Sequence, residues 1–412
     1  MTRNLLLTLS LCLHTLVATT IYAQTLRPHY CLNDNPATLY HELHYGISWF
    51  HGNQPQQRAT CRSSAPGTPN PFFNPHRDHT FILIHGWHPA TVANHWRLNL
   101  DPRELTGPAI ANMGAAWMGQ KNISRPTWNL GIFYWNQFSD ETPEKKGLSG
   151  MLKALAVVEN KIHRHTGDKI APIRWKDDKN QLHTSPSQTN MATLFYQQYR
   201  DTFQDYHGEI RLAGQSLGAE LLLSAAVMIA EHAAEDHIPL PQQIILLDPV
   251  FTTQKIPSLS GNTPLHLAEQ QIATLKKAGI LVIGIRTSLS GNNWFVGSNT
   301  RALNKTLFSE ITPCPYPVKA IQKRHTTSVW WYLLSYGLPG IPIDDTLPGM
   351  TLTSAPYAAT DYATLKTIAE YTRYRFTSRR IYNRLHFCRN KTKDFKANIA
   401  RWKEWQMTIK YK

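Results

Sequence analysis

The sequence predicts an α/β fold, a mostly parallel central sheet flanked by helices. Three observations carry that expectation. From Thr80 to Ile285 short apolar runs alternate with segments of helical period, the pattern of buried strands separated by crossover helices. A chain of 412 residues, 42% hydrophobic and 17% charged, can bury a sizeable core and is not globally disordered. Its 26 prolines and 22 glycines follow no collagen-like period, which excludes a fibrous protein.

Residues 1–23 have the layout of a secretory signal peptide: Arg3 near the start, a mostly apolar stretch over 5–18, and small Ala23 closing a cleavage site. The apolar stretch is short of the about 20 residues a bilayer span requires, and no other stretch is long and apolar enough to span. The mature chain is therefore expected to be exported, secreted or periplasmic, and at most peripheral to a membrane. Cysteine usage agrees. Of five cysteines, Cys12 leaves with the signal, and Cys31, Cys61, Cys314 and Cys388 remain for an oxidising compartment. The pairs Cys31–Cys61 and Cys314–Cys388 are favoured because each closes a segment outside the predicted sheet; four buried thiols are the alternative.

Residues 24–78 carry little periodicity, with Pro, Ser and Asn concentrated over 54–75, and read as a loop-rich N-terminal arm. The main domain spans 79–359. Strands are expected at 81–84, 130–135, 209–213, 243–247 and 280–285, with helices at 92–119, 144–164, 188–206, 217–234 and 264–278. Two insertions interrupt the alternation: 165–187, a polar excursion turning at Asp178 to Asn180, and 286–324, a long loop-rich stretch. The segment 360–412 holds 14 lysines and arginines against four acids, interleaved with aromatics, and so carries most of the formal charge of +15. It reads either as a solvated basic face packed on the domain or as an arm for an anionic membrane surface, where each basic residue gains about 1 kcal/mol. No recognised nucleic-acid motif supports a nucleic-acid partner.

No cofactor or metal is expected. There is no C-x-x-C or H-E-x-x-H; His41 and His44 have the wrong spacing for a zinc helix, and His76/His79 and His85/His88 lack further ligands.

The chemistry-bearing motif is Gly214-Gln215-Ser216-Leu217-Gly218, a G-x-S-x-G that follows a strand-like run and opens a helix. The bare pattern is weak; its context strengthens it. A serine on a sharp strand-to-helix turn has its hydroxyl lifted out of the sheet, and the Leu217 amide points where an oxyanion would form. Such a hydroxyl needs a base and an orienting acid. Of the five histidines beyond Ser216, only His325 sits in the long loop past the last strong strand, just before the helical run from Val329 to Leu334; a surface histidine beside Lys323 and Arg324 is the alternative. Asp248 directly ends a strand, while Glu269 lies inside a helix and Glu310 is the one other acid before His325. The alternative for Asp248 is a cap on the turn before Pro249. A second oxyanion amide is expected at Trp87, in the loop His85-Gly86-Trp87 after the first strand, where an ordinary turn is the alternative.

These motifs, in this order, resemble those of an α/β-hydrolase and are similar, over roughly 79–336, to the pancreatic-lipase-like serine lipases and esterases. That group also carries strand-His-Gly-aromatic, G-x-S-L-G, an acid in a Leu-Asp-Pro turn (here Leu247-Asp248-Pro249), and a histidine leading an aromatic-rich helix (here His325 before Trp330-Trp331-Tyr332). The resemblance implies a Ser216–Asp248–His325 triad, Trp87 and Leu217 amides as oxyanion hole, and cleavage of carboxylic esters, lipid or acyl, through an acyl-enzyme. The segment 251–263 is short and lacks cysteine where the group often carries a disulfide-bounded lid, and no chain remains for its C-terminal β-sandwich. Ester hydrolysis in general is therefore the expectation rather than long-chain triglyceride lipolysis. His85, Phe251, Trp294 and Phe295 are substrate-binding candidates; Phe251, Trp294 and Phe295, with Trp87, either line an acyl pocket or pack in the core. Acyl transfer by the same triad, and a non-enzymatic binding protein acting through the basic segment, are the competing functions.

Overall fold

The computed structural model describes residues 40–51, 54–58, 73–98, 128–163, 173–185, 190–293, 296–312, 319–335, 358, 361–375, 385–386 and 408–409. The expected signal, all five cysteines, Trp294 and Phe295 lie outside these residues.

Strands β1 (Gly46–His51), β2 (Gln54–Arg58), β3 (His79–Ile84) and β4 (Trp128–Tyr134) precede a small antiparallel hairpin, β5 (Arg174–Lys176) and β6 (Leu182–Thr184). Strands β7 (Glu209–Gln215), β8 (Gln243–Leu247), β9 (Leu281–Arg286), the short pair β10 (Asn292–Asn293) and β11 (Gly297–Ser298), then β12 (Leu307–Thr312), β13 (Leu385–His386) and β14 (Thr408–Ile409) follow. The main sheet runs β14-β13-β12-β9-β8-β7-β3-β4-β1-β2. The neighbours from β4 through β13 are parallel, and β1, β2 and β14 add antiparallel pairings at the two ends. This is the mostly parallel central sheet, flanked by helices, of an α/β fold.

Helices cover the sheet, so its inner strands are buried on both faces and read as unbroken apolar runs rather than alternating ones. All five residues of β8 are buried, as are all seven of β4. The helices are α1 (Asn136–Ser139), α2 (Leu148–His163), α3 (Met191–Phe203), α4 (Leu217–His232), α5 (Pro264–Lys277), α6 (Thr300–Leu303), α7 (Ile321–Ser335) and α8 (Tyr362–Arg375). Asn190 caps α3 by accepting the Thr193 N–H at 2.7 Å, and Thr263 caps α5 with Pro264 at its first position. Helix α4 is apolar on nearly every side, with Leu221, Leu222, Leu223, Ala225, Ala226 and Ile229 fully buried, because α2, α3 and α5 wrap it against the sheet.

A polar cluster is buried among these helices. His163 Nε2 lies 2.5 Å from Glu220 Oε1, and Thr252, in the turn region after β8, donates to Glu159 Oε1 at 2.6 Å. Burial pushes both carboxyls well above the ordinary range, Glu159 further because of Glu220, and lowers His163 to about 3. The cluster thereby ties α2 to α4 and to the chain leaving β8.

Three sequence expectations need correction. The N-terminal arm is not loop alone: β1 enters the main sheet beside β4, with Ile47 and Trp49 fully buried. Its apolar residues are framed by Gly, Ser and His, which hides the strand. The loop-rich stretch 286–324 contains β12, parallel to β9 with Leu307 opposite Ile283, and Ser309-Glu310 breaks the apolar run that would have marked it. Helix α7 begins at Ile321, so His325 lies within a helix rather than in a loop before one. The basic segment contributes α8, where Leu365 is fully buried and the Tyr362 hydroxyl donates to the Gly279 carbonyl at 3.2 Å. The polar excursion does turn as expected: Asn180 takes φ 63° between β5 and β6. No described helix is long and apolar enough to cross a membrane.

Trp49 is the anchor of β1, packed on Phe73 at 4.9 Å and edge-on to Phe203 at 6.3 Å. Trp49→Ala is expected to cost about 3–5 kcal/mol in urea unfolding; an unchanged midpoint would show that β1 contributes nothing to the folded sheet.

Candidate active site

The parallel register sets Ile84, Gly214, Leu246 and Gly284 side by side, so the chain leaving β3, β7, β8 and β9 emerges along one edge of the sheet. That carboxyl edge is where open α/β sheets hold their ligands. The chain leaving β7 turns at once into α4, and the residue at the turn is Ser216, at φ 57°, ψ −125°. An L-residue there is strained, and the surroundings hold it: the Ser216 N–H donates to the Leu247 carbonyl at 3.1 Å, and its carbonyl accepts the Ala219 N–H at 3.1 Å.

The elbow depends on two places without a side chain. A β-carbon on Gly218 would stand 2.4 Å from the Ile84 carbonyl oxygen and 2.5 Å from that of His85. One on Gly86 would stand 2.6 Å from the Ser216 β-carbon and from Gln215 Oε1, to which the Gly86 N–H donates at 3.2 Å. The loop after β3 therefore lies directly against Ser216. The next amide in that loop is Trp87, and the first amide of α4 is Leu217. Among the described residues neither has a hydrogen-bond acceptor, so both are available to an anionic oxygen beside Ser216.

Asp248 ends β8 at φ 46° and is 2% exposed. Its Oδ1 accepts the amides of Thr287 at 2.9 Å and Ser288 at 3.1 Å. Its Oδ2 accepts the Ser288 hydroxyl at 2.5 Å and faces His325 Nδ1 at 2.6 Å. Burial alone would push this carboxyl up; the opposing pull of His325, Ser288 and Thr287 holds it below the ordinary value. The ionised carboxylate accepts only, so Nδ1 of His325 carries the proton and Nε2 is left as the free ring nitrogen. Helix α7 is tied to the same loop, since the Thr287 hydroxyl donates to the Arg324 carbonyl at 2.7 Å. The Val250 N–H reaches the Ser216 carbonyl at 3.4 Å, linking the turn after Asp248 to the elbow.

The substrate-binding candidates fare differently. His85 is 1% exposed and both its ring nitrogens are spent inside: Nδ1 donates to the Gly86 carbonyl at 2.7 Å, and Nε2 accepts the Trp135 N–H at 3.3 Å. Burial lowers its pKa to about 4, so it is a neutral structural imidazole, not a substrate ligand. Phe251 is fully buried in the main core, its backbone held at both ends by the Asn299 amide at 2.8 and 2.7 Å. Trp87 is partly buried, and its indole donates to the Glu141 carbonyl at 3.1 Å.

Sequence reasoning missed Thr287, Ser288, Gln215 and His88. The hydroxyl run Thr287-Ser288-Leu289-Ser290 directly after β9 was the available signal, since polar residues at the carboxyl ends of parallel strands are site candidates. His88 lies 5.6 Å from the His85 ring and edge-on to Trp96 at 5.2 Å; burial, with His85 and His325 nearby, lowers its pKa to about 3. No cluster of three or more metal-ligating side chains occurs among the described residues.

No protein-family profile matches the chain, and no curated protein matches it. Among solved structures, the chain is similar to the NocB thioesterase domain in covalent complex with a fluorophosphonate nocardicin G analog, at 14% identity and TM-score 0.26, covering 62% of this chain and 94% of that one. It is similar to a lipase-esterase related protein from Clostridium acetobutylicum at 10% identity and TM-score 0.25, with the same coverage. A monoacylglycerol lipase of Paleococcus ferrophilus matches at 9% identity and TM-score 0.23, again over 62% and 94%. Likenesses this slight do not bear on function.

Relieving the strain at the elbow has a measurable consequence. Ser216→Gly is expected to raise unfolding stability by roughly 1–2 kcal/mol. Equal or lower stability in denaturant titrations would mean that the turn is not strained.

Proposed function

We propose that the chain is a serine hydrolase of carboxylic esters, with Ser216 as nucleophile, His325 as base and Asp248 as orienting acid. The observation that carries this reading is the 2.6 Å pairing of His325 Nδ1 with a buried, ionised Asp248, at the same sheet edge as a serine on a strained strand-to-helix turn. A carboxylate so placed fixes the imidazole tautomer and stabilises the charge the ring gains when it takes a proton.

In the proposed cycle the Ser216 oxygen attacks the ester carbonyl carbon as its proton passes to His325 Nε2. The carbonyl oxygen, now anionic, is received by the Trp87 and Leu217 amides. The intermediate collapses, the C–O bond to the leaving alcohol breaks, and His325 returns the proton to that alcohol. Water then attacks the acyl-enzyme by the same route and releases the acid. Ser288 shares Asp248 Oδ2 with His325 and supports the carboxylate throughout. The same reading takes residues 1–23 as an export signal and the basic segment 360–412 as the contact with an anionic lipid surface.

Turnover of p-nitrophenyl esters from acetate to palmitate, compared with Ser216→Ala, tests the proposal. The variant is expected to lose at least about 10³-fold in kcat, and a fluorophosphonate probe should add covalently to the wild type alone. Full activity in Ser216→Ala would refute the nucleophile. A folded wild type inert to every ester and to the probe would favour the binding-protein reading, while product esters formed in added alcohol would favour acyl transfer. Ser288→Ala removes one charge-assisted hydrogen bond from Asp248, and kcat should fall about tenfold with KM little changed. An unaltered kcat would show that the Ser288 hydroxyl is idle in turnover.

A further inference from the structure

One half of the oxyanion pair is secured by its own element, since Leu217 begins α4. The other half is not. Trp87 belongs to the loop 85–92, which leaves β3 without regular structure. A donor amide must be held still to stabilise a transient charge, because its value lies in needing no reorganisation when the charge appears.

What holds this loop is a second segment, residues 135–141, at the end of β4 and through α1. Asp140, 2% exposed, gives one carboxylate oxygen to each of two loop amides: Oδ1 accepts the Ala90 N–H at 2.6 Å, and Oδ2 accepts the Val92 N–H at 2.9 Å. Ala90 takes φ 62°, a conformation that an alanine holds only when its surroundings compel it. The adjoining Glu141 carbonyl takes the Trp87 indole N–H at 3.1 Å. On the other side of Trp87, the Trp135 indole donates to the His85 carbonyl at 2.8 Å, and the Asn136 amide donates to the Thr91 hydroxyl at 3.3 Å. Lys176 Nζ stands 4.0 Å from Asp140 Oδ1 and supports the carboxylate charge. The loop is thus gripped at His85, at the Trp87 side chain and at the Ala90–Val92 turn, leaving the Trp87 main-chain N–H between the grips without an acceptor among the described residues.

We propose that the Asp140–Glu141 turn is a positioning element for the oxyanion hole: its carboxylate and carbonyl cast the loop 85–92 so that the Trp87 amide faces the oxygen developing beside Ser216. This rests on the serine hydrolase reading and deepens it. Asp140 touches no reacting atom; it acts through the loop. Asp140→Asn replaces one accepting oxygen with an amide donor, which then confronts a loop N–H instead of receiving it.

The test compares wild type, Asp140→Asn, Trp87→Phe and Ser216→Ala on p-nitrophenyl butyrate. Rates of the forms that keep Ser216 are taken per active site titrated with a fluorophosphonate, so that unfolded molecules do not count, and that of Ser216→Ala per mole of protein. In parallel, the affinity of an alkyl boronic acid is measured, since its tetrahedral serine adduct carries an oxygen in the oxyanion position. Asp140→Asn is expected to lower kcat about 10- to 100-fold with KM within about twofold, and to weaken the boronate by the same factor. A merely structural role would reduce the number of titratable sites or the melting temperature and leave the kcat of surviving sites intact. That outcome, or a loss confined to KM, would overturn the proposal. If Asp140→Asn does not fold, Trp87→Phe decides: it deletes the indole bond to Glu141 and keeps an aromatic ring, and unchanged kcat and boronate affinity would overturn the proposal equally. Turnover surviving in Ser216→Ala would sink the hydrolase reading itself, which separates that failure from this one.

Discussion

Helix α4 begins so near strand β3 that a methyl group at Gly218 would sit 2.4 Å from the Ile84 carbonyl oxygen, and the geometry of the site hangs from this contact of backbone on backbone. Because nothing separates the two main chains, the loop leaving β3 is forced across the front of the elbow. Gly86 then meets the Ser216 side chain directly, so the loop that carries Trp87 runs beside the turn that carries Leu217. The strain at Ser216 belongs to the same constraint. A strand that must turn into a helix within one residue, underneath a neighbouring loop, has few conformations open to it.

The remaining parts are distributed by the sheet. Neighbouring parallel strands deliver the loop of β3, the serine after β7, the carboxylate after β8 and the hydroxyl-rich loop after β9 to one edge in lateral order. Asp248 is consequently buried between two strand ends, where burial would neutralise it were it not for two amides, a hydroxyl and an imidazole. Its charge is a product of architecture: the chain after β9 turns so that the Thr287 and Ser288 amides both point at one oxygen. The Thr287 hydroxyl extends the arrangement by fastening the first turns of α7, and with them His325.

The parallel core was legible because residues buried on both faces are mostly apolar, and 81–84, 130–135, 244–247 and 280–285 are unbroken apolar runs, while β7 keeps its pattern around one buried charge, Arg211. Ser216, Asp248 and His325 could be named because nucleophile chemistry restricts residue types and because each stands at a chain position the topology makes special. Strand β1 was hidden because its buried residues do not form an unbroken apolar run: Ser48 is buried between Ile47 and Trp49, and Gly46 and His51 frame them. Strand β12 was hidden because Ser309 is buried in its middle and no apolar run survives it. The burial of His85 and Phe251 was not legible, because proximity to a motif in sequence says which loop a residue joins, not which way its side chain turns. Asp140 and Ser288 were out of reach, because each acts on a segment about 40 residues or more away in the chain, and only the folded register brings donor and acceptor together.

The pairing of β3 with β7 joins residues 79–84 to 209–215, across some 130 positions of intervening chain. Closing so long a loop is entropically slow, and parallel partners gain nothing until it closes. His325 arrives later still, beyond β12. During synthesis from the N-terminus, then, the emerging polypeptide holds Trp87 long before it holds Ser216, and both before His325. A chain that stops short of His325 lacks the proposed base, so on the proposed reading it stays chemically silent until most of its central sheet has been made.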